Sequence, residues 1–508
     1  MLQPKISELT LRKLIYLLHD HNDMLTWIQN ICEHCTGKKG GILISAIHAY
    51  TLHGSPFVKE LSKNILTEVC KPWYSTLKMW LLEGKITDPY NEFFIKMKTL
   101  NYNLWNNKYL LRKKMLPSFM NPYLTKIILS FGKTMYFLKH VCKDKGQVSQ
   151  NESLENLLTT TSVDALFDAE KNMKFEESLE NIYRKISLYI LNLLRNKFRL
   201  YDHLELFRKY LLLAQGDFIS HLLELLMPEL NKDAIDVHFH RLNSLFELAV
   251  HSSNAKFEDK EIMDKLTIQI EGRCTGKKGW EVFSLGFKID DGPIGTIFKE
   301  TIPVYRVIFN VLWQTKRMEF VLTNMRRKQI LIMRLFKSLT YLKFITPNIT
   351  ILTGEMIHFF NQLQYYFMFE ILECSWVQLM DKLHKAKSLD DSVIAHNFFL
   401  KSLKKEFDAL QSELYRASHE ENLAFKAFLK TNNYAEDVSL SEEEDKEEIA
   451  RRANYTLNLL TIKSQMSTLS QRYQSNLEKY LKILSSSANI SLQLLSTRIN
   501  FNNYYNIE

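Results

Sequence analysis

The segment from Met356 to Trp376 constrains the fold more than any other part of the chain, because it carries apolar residues on two sides of a helix. At helical spacing, one apolar stripe consists of Met356, Phe360, Leu363, Phe367 and Ile371, and a second, on roughly the opposite side, of Tyr365, Phe369, Leu372 and Trp376. A helix that is apolar on two sides must be buried between other helices. The sequence therefore predicts a central helix of a helical bundle in this segment.

The composition of the whole chain also favours helices. Its 508 residues include 15 glycines and 10 prolines, about 5% together, whereas soluble proteins average roughly 12%. A chain with so few turn-forming residues rarely makes many short strands. Apolar residues make up 46% of the chain, which is enough for a large core. We therefore predict an all-α fold, which at this length comprises about two to four domains.

One region interrupts the helical pattern. Residues 251–301 contain six of the fifteen glycines, and the segment Trp280–Ile289 alternates apolar and polar residues. Alternation with a period of two is typical of a strand. The pattern predicts a short strand or extended connector near residues 280–295.

The charge of the chain is unevenly distributed. The net charge is +9, yet the segment 436–448 has eight acidic residues and a single lysine, Lys446. This run predicts a solvated acidic loop near residues 431–448. The rest of the chain is strongly basic and suited to an acidic protein, a membrane surface or nucleic acid, and the composition alone does not choose among these partners.

The cysteines and the chain's apolar runs indicate a cellular compartment. The six cysteines are scattered and mostly embedded in apolar runs, which is typical of reduced, buried thiols in an intracellular protein. The first residues show no charged segment followed by an apolar core, so a secretory signal is not expected. No run of 18 apolar residues exists, so no membrane-spanning helix is expected.

Three short motifs resemble catalytic or metal-binding signatures but lack essential parts. Gly132–Thr134 resembles the end of a phosphate-binding loop, but position 127, where the first glycine belongs, is isoleucine and the flanks are helical. Cys32–Cys35 has zinc-ligand spacing without a second pair downstream. The pair His238 and His240 has no nucleophile or carboxylate cluster beside it. We therefore predict no enzyme activity, no cofactor and no metal.

Two basic features each have two interpretations, one structural and one functional. The run Cys35–Gly40 recurs unchanged at Cys274–Gly279, without any similarity around either copy. Arg326, Arg327 and Lys328 follow Lys316-Arg317 in a helical segment. Each of these features is either a solvated face or a docking surface for an acidic partner.

Distinctive segments occur in order along nearly the whole chain. They are Cys35–Gly41, Ala46–Tyr50, Trp80–Gly84, Asp88–Phe94, Leu111–Met120, Leu211–Leu230, Asp291–Gly295, Phe309–Glu319, Met356–Trp376 and Leu494–Tyr505. Together they resemble the gamma-tubulin complex component family: the first four are similar to its first signature, and Leu211–Leu230 is similar to its second. The segments Lys316–Glu319 and Leu372–Trp376 resemble the component 3 subtype, which includes the yeast spindle-pole-body homologue. That subtype usually carries a long extension before the first signature, so the contacts of that extension are not implied for this chain.

The resemblance implies an elongated stack of helical bundles without catalysis. It implies an N-terminal helical domain, residues 1–195, for lateral assembly with a component 2-like protein. It also implies a C-terminal helical domain, residues 196–508, that binds gamma-tubulin and includes the acidic loop. Such a scaffold orders gamma-tubulin as a template for microtubule nucleation at a microtubule-organising centre or spindle pole body in the cytoplasm. Nucleic acid and membrane insertion are not implied.

The resemblance also supplies candidate contact residues. For gamma-tubulin they are Arg317, Arg326, Arg327, Arg498 and Asn502. For lateral assembly they are Lys38, Lys39 and His48. The alternative function is a generic helical rod or membrane-tethering subunit, which has the same bundle composition but does not bind tubulin.

Overall fold

The structure is a computed structural model of the chain, and it describes residues 10–98, 108–143, 148–270, 272, 276–288, 292–335, 342–407, 447–487 and 490–505. Most of the described residues are helical, which confirms the predicted fold class. The described strands form two antiparallel pairs. The chain divides into two compact units: residues 1–200, 289–299 and 386–394 form unit 1, and the remainder forms unit 2.

The described helices follow one another closely along the chain. In order they are α1 (Leu11–Cys35), α2 (Gly40–Thr51), α3 (Pro56–Glu83), α4 (Pro122–Tyr136), α5 (Val148–Thr160), α6 (Ala169–Asn196), α7 (Leu200–Leu206), α8 (Gly216–Leu230), α9 (Phe239–Ser252), α10 (Lys260–Met263), α11 (Gly279–Val282), α12 (Pro293–Phe298), α13 (Ile302–Leu335), α14 (Leu342–Tyr365), α15 (Cys374–Lys385), α16 (389–407), α17 (Glu447–Ser486) and α18 (Ile490–Ile499). Three π-helical segments, Phe137–Val141, Phe207–Leu211 and Tyr366–Glu373, directly follow α4, α7 and α14. The strands are β1 (Ile95–Met97), β2 (Tyr109–Leu111), β3 (Leu266–Ile270) and β4 (Phe283–Phe287).

The core of unit 1 is centred on the contact between α3 and α4. Trp80 is fully buried, and its indole N–H donates to the Ile128 carbonyl at 2.8 Å. Gly132 lies directly against this indole, and a Cβ at that position would overlap the ring at Cε2. The glycine of Gly132–Thr134 is therefore required for close helix packing, as the helical interpretation of that motif predicts.

A buried polar network connects distant parts of the sequence within unit 1. Ser130 Oγ donates to Asp390, and Lys133 on the same helix also interacts with that carboxylate. Burial lowers the pKa of Lys133, which Asp390 partly offsets, and raises the pKa of Asp390. Because breaking a buried pair leaves an uncompensated charge, this network ties residues 386–394 to α4.

Each of the two strand pairs lies within one unit, β1 with β2 in unit 1 and β3 with β4 in unit 2. β1 pairs with β2 so that Ile95 lies opposite Leu111, and β3 pairs with β4 so that Leu266 lies opposite Phe287. All five residues of β4 are buried. The predicted extended connector near 280–295 is confirmed for β4, whereas the described residues at its two ends, 280–282 and 293–295, are helical. Residues 279–282 form α11, and Pro293 occupies the first turn of α12, where its missing N–H costs nothing.

The predicted central helix is confirmed for its first stripe. Phe360, Leu363, Phe367 and Ile371 are buried, and Met356 is half-buried. In the second stripe, Leu372 and Trp376 are buried, but Tyr365 and Phe369 are 46% and 56% exposed, which contradicts the prediction. The π-helical segment Tyr366–Glu373 explains the error. It inserts extra residues into the helical turn, so a face assigned at 3.6 residues per turn shifts around the helix.

Other expectations have mixed outcomes. Residues 431–446 of the predicted acidic loop lie outside the described residues, whereas Glu447 and Glu448, the last two of that loop, begin α17. Cys70 and Cys142 are buried, but Cys32 and Cys374 are exposed, contrary to the expectation of buried thiols. Among the described helices, none is long and apolar enough to cross a bilayer.

The assignment of faces on this helix predicts a contrast between two neighbouring phenylalanines. Phe367 is fully buried, with its ring 5.0 Å from that of Phe407, so Phe367→Ala should destabilise the chain by about 3–5 kcal/mol. Phe369→Ala, the matched control on the exposed side, should cost about 1 kcal/mol or less. Denaturant unfolding of both variants measures the difference. Equal losses would contradict this face assignment.

Candidate protein-interaction surfaces

The described residues show no cluster of possible metal ligands. Among them, no group of three or more His, Cys, Asp or Glu side chains could hold a metal ion. Cys32 and Cys35 lie on the last turns of α1, and their thiols are free. His238 and His240 are exposed at the start of α9. What the described parts of both units do present are uncovered apolar and aromatic faces.

An aromatic patch lies at the end of α14 in unit 2. The rings of Tyr365 and Phe369 are 4.7 Å apart, and both are largely exposed. The guanidinium of Arg498 on α18 lies 4.8 Å from the Tyr365 ring centroid and forms an ion pair with Glu370 at 2.6 Å. Exposed aromatic rings with an arginine are the composition that protein interfaces favour.

A second set of exposed aromatics follows α18. Phe501 and Tyr504 are 71% and 58% exposed, and the Phe501 ring lies 5.5 Å from that of His358 on α14. The buried Asn500 fixes this tail: its amide nitrogen donates to the Tyr505 carbonyl at 2.8 Å, and its side-chain oxygen accepts from the Tyr505 N–H at 3.0 Å. The tail therefore presents its rings in a defined arrangement.

We call these two sets together the C-terminal surface, defined as Tyr365, Phe369, Glu370, Arg498 and residues 501–505. Both sets border α18, since Arg498 lies over Tyr365 and the next residue, Ile499, lines a groove shared with Phe501. The sequence-predicted residues Arg498 and Asn502 both belong to this surface, and Asn502 is exposed. The exposed rings of Tyr365 and Phe369 were missed, because the sequence pattern indicated burial.

The other predicted gamma-tubulin contacts do not form one basic patch. Arg317 is half-buried over the Trp280 ring, 4.6 Å from its centroid, and burial lowers the pKa of its guanidinium to about 10. Arg326 donates to the Thr350 carbonyl on α14 at 3.0 Å. Arg327 is exposed. Of these three arginines, Arg327 alone is exposed, and the other two are half-buried.

The predicted lateral contacts are also separated. Lys39 is exposed and precedes the first residue of α2, and Lys38 is half-buried beside it. His48 lies nine residues after Lys39, about 13 Å along the helix. Its Nδ1 is 3.0 Å from Ser118 Oγ and its ring packs against Phe119, and burial lowers its pKa. His48 thus belongs to an internal contact.

An apolar stripe on α1 was not identified from the sequence as an exposed surface. Leu11, Leu14, Leu18 and Leu25 recur at intervals of three, four and seven residues and are 74%, 42%, 52% and 64% exposed. Among the described side chains of α1, Ile31 is the apolar one that is buried. We call these four leucines the α1 stripe. The heptad-like spacing indicates a helix–helix seam. Only the structure shows that these four leucines are left exposed by the described elements.

Comparison with known proteins identifies the family. The family model "Gamma tubulin complex component N-terminal" matches residues 1–197, and "Gamma tubulin complex component C-terminal" matches residues 200–505. The chain belongs to the gamma-tubulin complex component family. This result confirms the resemblance seen in the sequence, and it places the α1 stripe in the first match and the C-terminal surface in the second.

The chain is similar to several members of the family. It is 35% identical to human gamma-tubulin complex component 3, an alignment that covers 98% of the chain and 58% of that protein. It is 31% identical to the spindle pole body component alp6 of Schizosaccharomyces pombe, covering 91% and 57%. Mouse gamma-tubulin complex component 2 is 26% identical, covering 74% and 44%. The chain thus spans somewhat more than half the length of its component 3 relatives.

The placement of the arginines on α13 predicts different roles for two neighbours. Arg326→Ala removes the hydrogen bond to the Thr350 carbonyl and should lower stability by roughly 1–2 kcal/mol. Arg327→Ala should leave stability within about 0.5 kcal/mol of the parent, because its side chain is exposed. Thermal unfolding of both variants tests this assignment. If Arg327→Ala were the more damaging change, this orientation of α13 would be wrong.

Proposed function

We propose that this family member is a non-catalytic scaffold subunit that binds gamma-tubulin through its C-terminal half, residues 196–508, and assembles laterally through its N-terminal half, residues 1–195. The lateral partner is a component 2-like protein, and other complex components complete the assembly. The protein is located in the cytoplasm, on the cytoskeleton, at a microtubule-organising centre or spindle pole body. Family membership supports the subunit role.

The main support for the proposed gamma-tubulin contact is the exposure of the C-terminal surface. Four of its five aromatic rings, Tyr365, Phe369, Phe501 and Tyr504, range from 46% to 71% exposed, whereas Tyr505 is buried. Aromatic and arginine side chains supply most of the binding energy at protein interfaces when a partner removes them from water. The charged pair of Arg498 and Glu370 beside them can fix the orientation of an incoming protein.

The mechanism we propose is templating. The first contacts between tubulin subunits are weak because each association loses translational and rotational freedom. A scaffold that holds gamma-tubulins side by side makes the next lateral contact effectively intramolecular, which raises the local concentration without new chemistry. The chain itself then needs no catalytic residue, and any nucleotide hydrolysis belongs to gamma-tubulin.

The gamma-tubulin contact is tested with the full chain and purified gamma-tubulin. The double substitution Tyr365→Ser and Phe369→Ser should weaken binding by about tenfold or more, because it removes two exposed aromatic anchors. Phe257→Ser, at a ring that is 78% exposed elsewhere in unit 2, is the matched control and should bind like the parent.

Three outcomes separate the possibilities. If the parent chain binds no gamma-tubulin, the proposed function fails and the alternative of a generic rod or membrane tether is favoured. If the parent binds but the double variant binds equally well, gamma-tubulin docks elsewhere. Arg327→Glu provides a further comparison: a loss of affinity at low salt that diminishes at high salt would include this residue in the contact.

Lateral assembly is tested on the α1 stripe. Leu14→Ser combined with Leu18→Ser should reduce co-elution of the full chain with a component 2-like protein, because both side chains lie exposed on the stripe. Leu188→Ser, at an equally exposed leucine of α6, should leave co-elution unchanged. Thermal midpoints of all variants should match the parent. Undiminished co-elution of the α1 double variant would remove the stripe from the lateral interface.

A further inference from the structure

A groove of about 330 Å³ lies between α14, α17 and the tail that follows α18. Glu355 and His358 line it from α14, and Phe501, Tyr504 and Tyr505 line it from the tail. Because Glu355 and His358 are three residues apart on one helix, their side chains share a face. The groove is therefore a pocket with aromatic walls and two ionisable side chains on one side.

Two buried polar atoms in this groove have no hydrogen-bond partner among the described residues. They are Oε2 of Glu355 and Nε2 of His358. The Tyr505 hydroxyl bonds to the Glu355 carboxylate, and burial still raises the pKa of that carboxyl above its ordinary value. A carboxylate oxygen removed from water without a donor is costly, and buried polar groups in proteins are usually paired. The free chain thus holds an incomplete hydrogen-bonding site.

The electrostatic character of the groove selects a cation. Glu355 has no lysine or arginine partner among the described ion pairs, and the Glu478 carboxylate adds negative potential at the Tyr505 hydroxyl. The nearby Arg498 is engaged with Glu370. Aromatic rings attract cations through their faces, and a carboxylate forms its strongest hydrogen bonds with charged donors. An anionic or purely aliphatic occupant would leave Glu355 unpaired.

We propose that this groove binds one arginine side chain of the protein that docks on the C-terminal surface. Arginine fits better than lysine because its planar guanidinium can stack on the aromatic walls while it donates to Glu355. The inference rests on the proposed function, under which the docking protein is gamma-tubulin. It adds the chemical identity of one contact, which the exposed aromatics alone do not specify.

The groove is first tested without a protein partner. The full chain carries para-trifluoromethylphenylalanine at position 501, whose fluorine resonance reports on the groove, and is titrated with N-acetyl-arginine amide. A saturable shift with a dissociation constant of millimolar order is expected for one small ligand. N-acetyl-citrulline amide has nearly the same shape without the charge and should produce no saturable shift.

Substitution at Glu355 then identifies the group responsible. Glu355→Gln should weaken the arginine ligand about tenfold or more, since it removes the charged acceptor. Its thermal midpoint should equal or exceed that of the parent, because burial penalises the carboxylate it replaces. A merely structural role for Glu355 would instead lower the midpoint. Asp381→Asn, at an exposed carboxylate on α15, is the matched control and should leave ligand binding unchanged.

Addition of gamma-tubulin distinguishes the two proposals. Displacement of the arginine ligand by gamma-tubulin, together with weaker gamma-tubulin binding by Glu355→Gln, supports the inference. Equal shifts with arginine and citrulline ligands, or unchanged arginine binding by Glu355→Gln, overturn it, as does gamma-tubulin binding without displacement. If gamma-tubulin does not bind the parent chain while the arginine ligand does, the proposed function fails and the groove chemistry stands.

Discussion

Burial of apolar helix stripes against other helices is the interaction on which both units depend. The described sheets are two short hairpins, so they cannot cover most of these stripes. Trp80 against Gly132 in unit 1 and Phe367 against Phe407 in unit 2 show how closely the helices approach where this burial succeeds. In such a chain, a stripe without a described covering helix indicates an interface. The α1 stripe and the C-terminal surface meet that description.

Buried polar groups add specificity to this helical packing. In unit 2, the Tyr305 hydroxyl lies 2.9 Å from Nε2 of His396, and burial lowers the pKa of that histidine to about 3. Burial therefore favours the neutral form of His396. In unit 1, the buried pair of Lys133 and Asp390 likewise holds residues 386–394 against α4. Each pair fixes which helices meet, because any other arrangement would leave its groups unpaired.

The sequence predicted the features that depend on periodicity and composition. The helical fold, an extended segment near residues 280–295 and the burial of Phe367 follow from patterns that hold over many residues. Features that depend on a local departure from that period could not be predicted. The π-helical segment turns Phe369 outward although its spacing indicated the interior. Likewise, the sequence could not show that Arg326 donates to the Thr350 carbonyl.

Uncovered side chains and unpaired buried atoms both carry a cost in the free chain that a partner can remove. Exposed rings such as Phe501 keep apolar surface in water, and the free oxygen of Glu355 lacks a donor. A partner that covers the rings removes their apolar surface from water, and a partner donor completes the hydrogen bonding of Glu355. Both changes lower the free energy of the bound state relative to the free chain. The α1 stripe has the same property in the other unit. Under the proposed function, each unit would hold one partner. Holding partners together would raise their mutual effective concentration, which is the physical requirement for a template.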